Sequence, residues 1–99
     1  MKIVINADHG GFRLSDEAMT RYLKAKNISL DADPHRGRLY DWEIPRDDLD
    51  LIAIVEEMGR DASSVYASLK IVNIPDDVEW QIEEYDGLEW VAEKHRTWD

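Results

Sequence analysis

The sequence predicts one α+β domain: a mainly antiparallel or mixed sheet of four or five strands, with two helices packed on one face. Three observations predict it. Short β-branched runs open the chain and recur in its last forty residues, two segments carry apolar residues at helical spacing behind capping side chains, and 99 residues leave room for a single core. Surface scaling puts the folded area near roughly 5,800 Å², with about 65% of the unfolded chain's surface buried. A core of that size needs neither a metal nor a disulfide, and residues 1–99 are read as one domain without linker or low-complexity tract.

Met1-Lys2-Ile3-Val4-Ile5-Asn6 reads as a strand, and Asp8-His9-Gly10-Gly11-Phe12 ends it. Ser15 is placed to cap a helix whose first turn carries Asp16 and Glu17, which complement the helix dipole. Ala18, Met19, Tyr22 and Leu23 form its apolar stripe, and Asn27 stops it. Residues 29–45 carry a poor signal. Asp31-Ala32-Asp33-Pro34-His35-Arg36-Gly37 reads as a turn-rich loop, and Leu39 to Ile44 as a strand that Pro45 ends. Asp47 or Asp48 caps a second helix with Leu51, Ile52, Val55 and Met58 on its apolar side and Gly59 as its C-terminal cap.

Leu69 to Ile74 reads as a strand, followed by a turn at Pro75-Asp76-Asp77. Two registers are open to the final hairpin. A two-residue Asp86-Gly87 turn pairs Tyr85 with Leu88 and mixes polar with apolar residues on both faces. A three-residue Tyr85-Asp86-Gly87 loop pairs Ile82 with Trp90 and Trp80 with Ala92, which gathers Val78, Trp80, Ile82, Leu88, Trp90 and Ala92 on one face. The second register is preferred because a one-residue slip turns two tryptophans outward. It leaves Glu79, Gln81, Glu83, Glu89, Val91 and Glu93 on a wet face, free for a partner.

Composition narrows the function classes. Lys+Arg of 12 against Asp+Glu of 22 gives a formal net charge of -10, which repels phosphate backbones and anionic membranes, so neither nucleic acid nor membrane is expected as a partner. The absence of cysteine excludes thiol catalysis and Cys-ligated zinc. No apolar run approaches a membrane span, and the first residues lack a signal-peptide pattern, so a cytoplasmic setting is expected.

The loop of His9, Gly10, Gly11, Phe12 and Arg13 stands between a strand and a helix start, where free amides and the positive dipole end favour an anion; the competing reading is a plain tight turn. Its spacing fits neither a P-loop nor a dinucleotide fingerprint. His95, Arg96 and Trp98 near the C-terminus, with Arg36 and Tyr40, pair cations with aromatics that could clamp a phosphate and a base. Alternatively, Trp98 closes the core edge while Arg96 neutralises glutamates. Asp47-Asp48-Leu49-Asp50, Asp31/Asp33 and Asp76/Asp77 are better read as caps and turns than as cation sites. The three histidines are too dispersed for a metal, and no nucleophile-base arrangement is legible. No catalytic residue, metal or cofactor is assigned, and the chain is not expected to be an enzyme.

Met1 to Lys26, above all Ala7-Asp8-His9-Gly10-Gly11-Phe12, is similar to the N-terminus of type B ribose-5-phosphate isomerases and galactose-6-phosphate isomerases. In that family the loop and its helix help bind a sugar phosphate. The cysteine base, the later glycine-rich phosphate loop and the necessary length are missing here, so the isomerase activity is not carried over. A second resemblance covers nearly the whole chain. Lys2-Ile3-Val4-Ile5-Asn6…Gly10-Gly11-Phe12…Leu14-Ser15-Asp16-Glu17-Ala18, then Arg46-Asp47-Asp48…Asp50-Leu51-Ile52…Val55-Glu56-Glu57…Gly59, then Ile74-Pro75-Asp76-Asp77-Val78-Glu79-Trp80…Tyr85-Asp86-Gly87…Glu93-Lys94-His95-Arg96…Trp98 resemble a family of small bacteriophage and prophage proteins. Members often carry Cys-Tyr where Asp8-His9 stand.

That resemblance implies an accessory phage protein acting in the bacterial cytoplasm. With the glycine loop it leads to the first expectation: a non-catalytic binder that sequesters a small phosphorylated or nucleotide-like ligand, such as a host-defence second messenger. On so acidic a chain, homo-oligomerisation would help to build a cationic pocket. The second expectation is an acidic interaction protein that inhibits a host enzyme, with Glu79, Glu83, Glu89 and Glu93 imitating the charge of DNA. A structural homo-oligomer is the third.

Overall fold

The computed structural model describes residues 1–27 and 41–94. Its elements in chain order are β1 (Lys2–Asn6), α1 (Asp16–Ala25), a 3-10 turn at Asp41–Glu43, α2 (Leu49–Met58), a 3-10 turn at Gly59–Ala62, β2 (Leu69–Asn73), β3 (Trp80–Tyr85) and β4 (Leu88–Glu93). The class is α+β. The expected single sheet is replaced, among the described residues, by two antiparallel two-stranded sheets, β1–β2 and β3–β4.

β1 organises the centre. It pairs with β2 from Lys2↔Asn73 to Asn6↔Leu69, so Val4, Ile71 and Leu69 share one face. Val4 there joins Leu14, Ala18, Tyr22, Ile44, Leu51, Ile52, Ile54, Val55 and Ala62 in the core between that sheet and the two helices. Ile3 and Ile5 point the other way and are buried as well, at 0% and 5% exposure. A β-branched strand hidden on both faces sits inside the molecule, and β4 of the second sheet lies beside it. The edge of β1 away from β2 is satisfied without a third strand. The Val4 amide donates to the Arg46 carbonyl at 2.9 Å, and the Asn6 amide donates to Glu89 Oε1 at 2.8 Å.

Both helices follow from their caps. The Ser15 hydroxyl accepts from the Ala18 amide, and Asn27 leaves the helix with φ 58°, a conformation asparagine tolerates. Asp48, one of the two candidates, caps α2 by accepting from the amides of Asp50 and Leu51. Gly59 ends α2 at φ 59°, where other residues are strained, and leads straight into the second 3-10 turn.

Two expectations are corrected. The strand expected over Leu39 to Ile44 does not form where it is described: Asp41–Glu43 is a 3-10 turn, closed by the Ile44 amide donating to the Asp41 carbonyl at 3.2 Å. Ile44 is buried in the core, so one apolar anchor replaces a ladder. The final hairpin adopts the register set aside above, with Tyr85↔Leu88, Ile82↔Val91 and Trp80↔Glu93. Asp86 at φ 52° and Gly87 at φ 91° both take left-handed angles, which makes a two-residue turn whose twist suits the strands it joins. Face matching loses to turn chemistry because neither face of this hairpin is fully buried.

The expected glutamate row is dissolved by the same change. Gln81 and Glu83 share a face with Tyr85, Leu88, Trp90 and Ala92, while Glu89, Val91 and Glu93 share the other with Trp80, Ile82 and Glu84. Val78 and Glu79 precede β3.

Candidate functional site

The loop after β1 is shaped by two neighbours pressing on its two glycines. A methyl group on Gly10 would lie 1.8 Å from the Tyr66 carbonyl oxygen, so this glycine permits close approach of the 64–67 turn. That turn is closed by the Ala67 amide donating to the Ser64 carbonyl at 3.1 Å. On the other side the hairpin tip presses in, because a methyl group on Gly87 would lie 2.3 Å from the His9 carbonyl oxygen and 2.6 Å from the Gly11 nitrogen. Gly11 itself, at φ 89°, faces open space.

Asn6 locks this junction. It is fully buried and every polar atom of its side chain is used: Nδ2 donates to the carbonyls of Asp8 at 2.6 Å and Gly87 at 2.8 Å, and Oδ1 accepts from the Ser68 amide at 2.8 Å. Beside it, the Arg46 guanidinium donates twice to Glu89, at 2.5 and 2.8 Å, and lies 3.6 Å from the centre of the Phe12 ring. The Arg46 and Glu89 side chains keep only 15% and 9% of their exposure, so the pair is held out of water. Stacking, two parallel hydrogen bonds and a backbone amide together satisfy the charges.

Among the described residues, a ligand-sized cleft lies on the Gly10 side of the loop. A cleft of about 470 Å³ opens between the amino end of α1 and the 63–66 turn, lined by Gly10, Arg13, Ser15, Ser64, Val65 and Tyr66 among others. Its lips are available: Arg13 keeps 68% of its side-chain exposure, with Nε 4.0 Å from Asp41 Oδ2, and Tyr66 is 75% exposed. Ser15 is occupied, since its hydroxyl donates to the Asp61 carbonyl and accepts from Ala18. Asp16 brings a carboxylate to the same wall.

Of the residues singled out from sequence, Gly10 and Arg13 line the cleft. His9 is exposed, and its amide donates to its neighbour's carboxylate, Asp8 Oδ1, at 2.7 Å. Gly11 lies against the hairpin tip, and Phe12 lies under Arg46. Arg36, Tyr40, His95, Arg96 and Trp98 lie outside the described residues, as does His35. Tyr66, Ser64 and Arg46 were not anticipated as site residues, and Glu89, expected on a wet face, is instead turned inward to Arg46. A signal for Tyr66 existed: Val65-Tyr66 are two large side chains in the otherwise small run Ser63-Ser64…Ala67-Ser68. Glu89 and Arg46 are far apart in sequence, and nothing local marks them as partners.

A second polar cluster joins the helices away from this cleft. The Tyr22 hydroxyl donates to Asp48 Oδ2 at 2.9 Å, and Lys26 Nζ lies 3.0 Å from Asp48 and 2.8 Å from Asp50. Burial, the Asp48 hydrogen bond and its negative charge push the Tyr22 hydroxyl up to about 12. Hydrogen bonds to Asp50 and Asp48 hold the Lys26 ammonium above its ordinary range. Burial alone would raise the Asp48 carboxyl, but donors from Lys26, Tyr22 and the amides of Leu51 and Asp50 outweigh it and hold the group below the ordinary range. Every member is satisfied, and the cluster reads as a clamp between α1 and α2.

Among the described residues, no group of three or more His, Asp or Glu side chains is arranged to hold a metal, and no helix is long and apolar enough to cross a membrane. Comparison with family models, with curated proteins and with solved structures finds no match.

Proposed function

We propose that this protein is a non-catalytic binder of a small phosphorylated, ring-bearing ligand of nucleotide type, taken up in the cleft between the amino end of α1 and the 63–66 turn. The observation that carries this reading is the pairing of one exposed cation, Arg13, with one exposed aromatic, Tyr66, on the walls of a single cleft. Its volume of about 470 Å³ lies within the range of small-molecule sites. Arg13 supplies forked donors to a phosphate, and the positive end of the α1 dipole adds to its field. The Tyr66 ring supplies a stacking platform for a base. In the phage setting that the sequence resemblance suggests, such a ligand would be a host signalling nucleotide, and the protein would act by sequestering it.

Thermal unfolding with cyclic dinucleotides, ADP-ribose, AMP and orthophosphate tests the proposal. A ligand at a hundred times its Kd stabilises the folded chain by about 2.7 kcal/mol. For a domain of this size that raises Tm by roughly 10–20 °C. Arg13→Ala should weaken binding by about 1.5–3 kcal/mol, and Tyr66→Ala by about 1–3 kcal/mol. Tyr66→Ala keeps the Cβ and carbonyl that touch Gly10, so the loop is undisturbed. No shift with any compound at millimolar concentration overturns the proposal.

A further inference from the structure

We propose that the outward face of the β3–β4 hairpin is a docking surface for an arginine-bearing segment of another protein. The direction of that face follows from Glu89, which points from β4 to the Asn6 amide and Arg46 and so marks the inner side. Gln81, Glu83, Tyr85, Leu88, Trp90 and Ala92 are therefore turned away from the body of the molecule. Tyr85 is 72% exposed and Trp90 43% exposed, and the two lie diagonally across the ladder, within reach of each other. A diagonal pair of large aromatics in water is the kind of anchor that protein interfaces are built around.

Charge selects the partner. Residues 79–93 hold Glu79, Glu83, Glu84, Asp86, Glu89 and Glu93 and no lysine or arginine. Among the described residues, Glu89 is the one of these carboxylates that is ion-paired, to Arg46, while Glu83 stands on the outward face with Gln81 Nε2 donating to it at 3.0 Å. Glu83 stands directly opposite Trp90 in the ladder, so a carboxylate and an aromatic face are presented side by side. A guanidinium uses both at once, stacking on the ring while it donates to the carboxylate; an ammonium is compact, more strongly hydrated and less suited to stacking. A second copy of this chain presenting the same face would bring Glu83 against Glu83 and no cation from residues 79–93 to pair with it. Nucleic acid would be repelled for the same reason.

The test titrates the full chain with a short peptide alternating arginine and valine, followed by calorimetry and by amide shifts in NMR spectra. Peptides alternating lysine or glutamate with valine serve as controls. The arginine peptide should bind, the lysine peptide more weakly, and the glutamate peptide not at all. Trp90→Ala and Glu83→Gln should each weaken the arginine peptide by roughly tenfold or more, whereas Glu17→Gln, on α1, should leave it unchanged. Tyr85→Ala removes a side chain that is mostly in water, and keeps the question answerable if Trp90→Ala unfolds the hairpin. Absence of binding overturns the proposal, as does binding equally sensitive to Glu17→Gln, or a dimer in light scattering that Trp90→Ala dissociates. The nucleotide cleft is tested by other ligands and other variants, so either idea can fail alone.

Discussion

Gly87→Ala, set beside Gly11→Ala, tests whether the hairpin tip is seated on the loop after β1. Both glycines hold nearly the same backbone angle, φ 91° at Gly87 and φ 89° at Gly11, so the left-handed cost of alanine, about 1–2 kcal/mol, is common to the two. Their surroundings differ. An added methyl at Gly11 meets nothing within 4 Å, whereas at Gly87 it meets the His9 carbonyl oxygen at 2.3 Å and the Gly11 nitrogen at 2.6 Å. Backbone atoms cannot swing aside as a side chain would, so the tip must lift. Lifting it stretches the Asn6 Nδ2 bond to the Gly87 carbonyl and the Glu89 contacts with Asn6 and Arg46. Overpacking of this kind adds about 1–3 kcal/mol. Urea unfolding with linear extrapolation should therefore give a loss of about 1–2 kcal/mol for Gly11→Ala and about 2–5 kcal/mol for Gly87→Ala. Combining Gly87→Ala with Glu89→Gln should cost less than the sum of the two, since both unseat the same hairpin. Equal losses at the two glycines, within about 0.5 kcal/mol, would refute the docking of the tip.

Other outcomes follow from the same geometry. Glu89→Gln alone should destabilise by about 3–5 kcal/mol in urea unfolding, because it leaves the half-buried Arg46 guanidinium without its counter-charge. The raised Tyr22 hydroxyl means that the folded chain keeps that proton longer than the unfolded one. Its stabilisation is complete below pH 10 and is lost as pH climbs towards about 12. Tyr22→Phe should remove that part of the alkaline loss, roughly 2–3 kcal/mol, in stability measured against pH. Asp48 behaves oppositely: its lowered carboxyl contributes stability above the ordinary aspartate value, and that contribution disappears as pH falls through the folded value. Asp48→Ala should flatten this acid limb and cost about 1–2 kcal/mol at neutral pH through the lost helix cap.

Much of the local structure was legible because its causes are local. Ser15 and Asp48 cap their helices whatever surrounds them, since the groups they satisfy lie two or three residues away. The strand from Lys2 to Asn6 and the stop at Asn27 belong to the same kind. The hairpin shows where such reasoning divides. Asp86-Gly87 carried a clear two-residue turn signal, and apolar alternation argued against it; the turn signal described the molecule. Alternation failed as a guide because it assumes one dry face, and this hairpin has none.

The candidate site was half legible. A glycine loop beside a helix start pointed to Gly10 and Arg13, and the structure places both on a cleft wall. Tyr66, the aromatic on the other wall, comes from a segment fifty-odd residues later in the chain, and its place depends on how the 64–67 turn meets Gly10.

By itself, then, the chain's order of residues marked the extended runs of β1, β2 and the final hairpin, the two helices with the caps that bound them, and the excess of acidic side chains. The strand it suggested over Leu39 to Ile44 is a 3-10 turn where it is described. Tertiary structure alone decided that Asn6 is buried among backbone partners, that Glu89 turns inward to Arg46, and that the two glycines of the loop each receive a different neighbour. Caps and turns act over a few bonds, while ion pairs and close backbone approaches exist only after distant segments have been brought together by the burial of Ile3, Val4 and the helix faces packed against them.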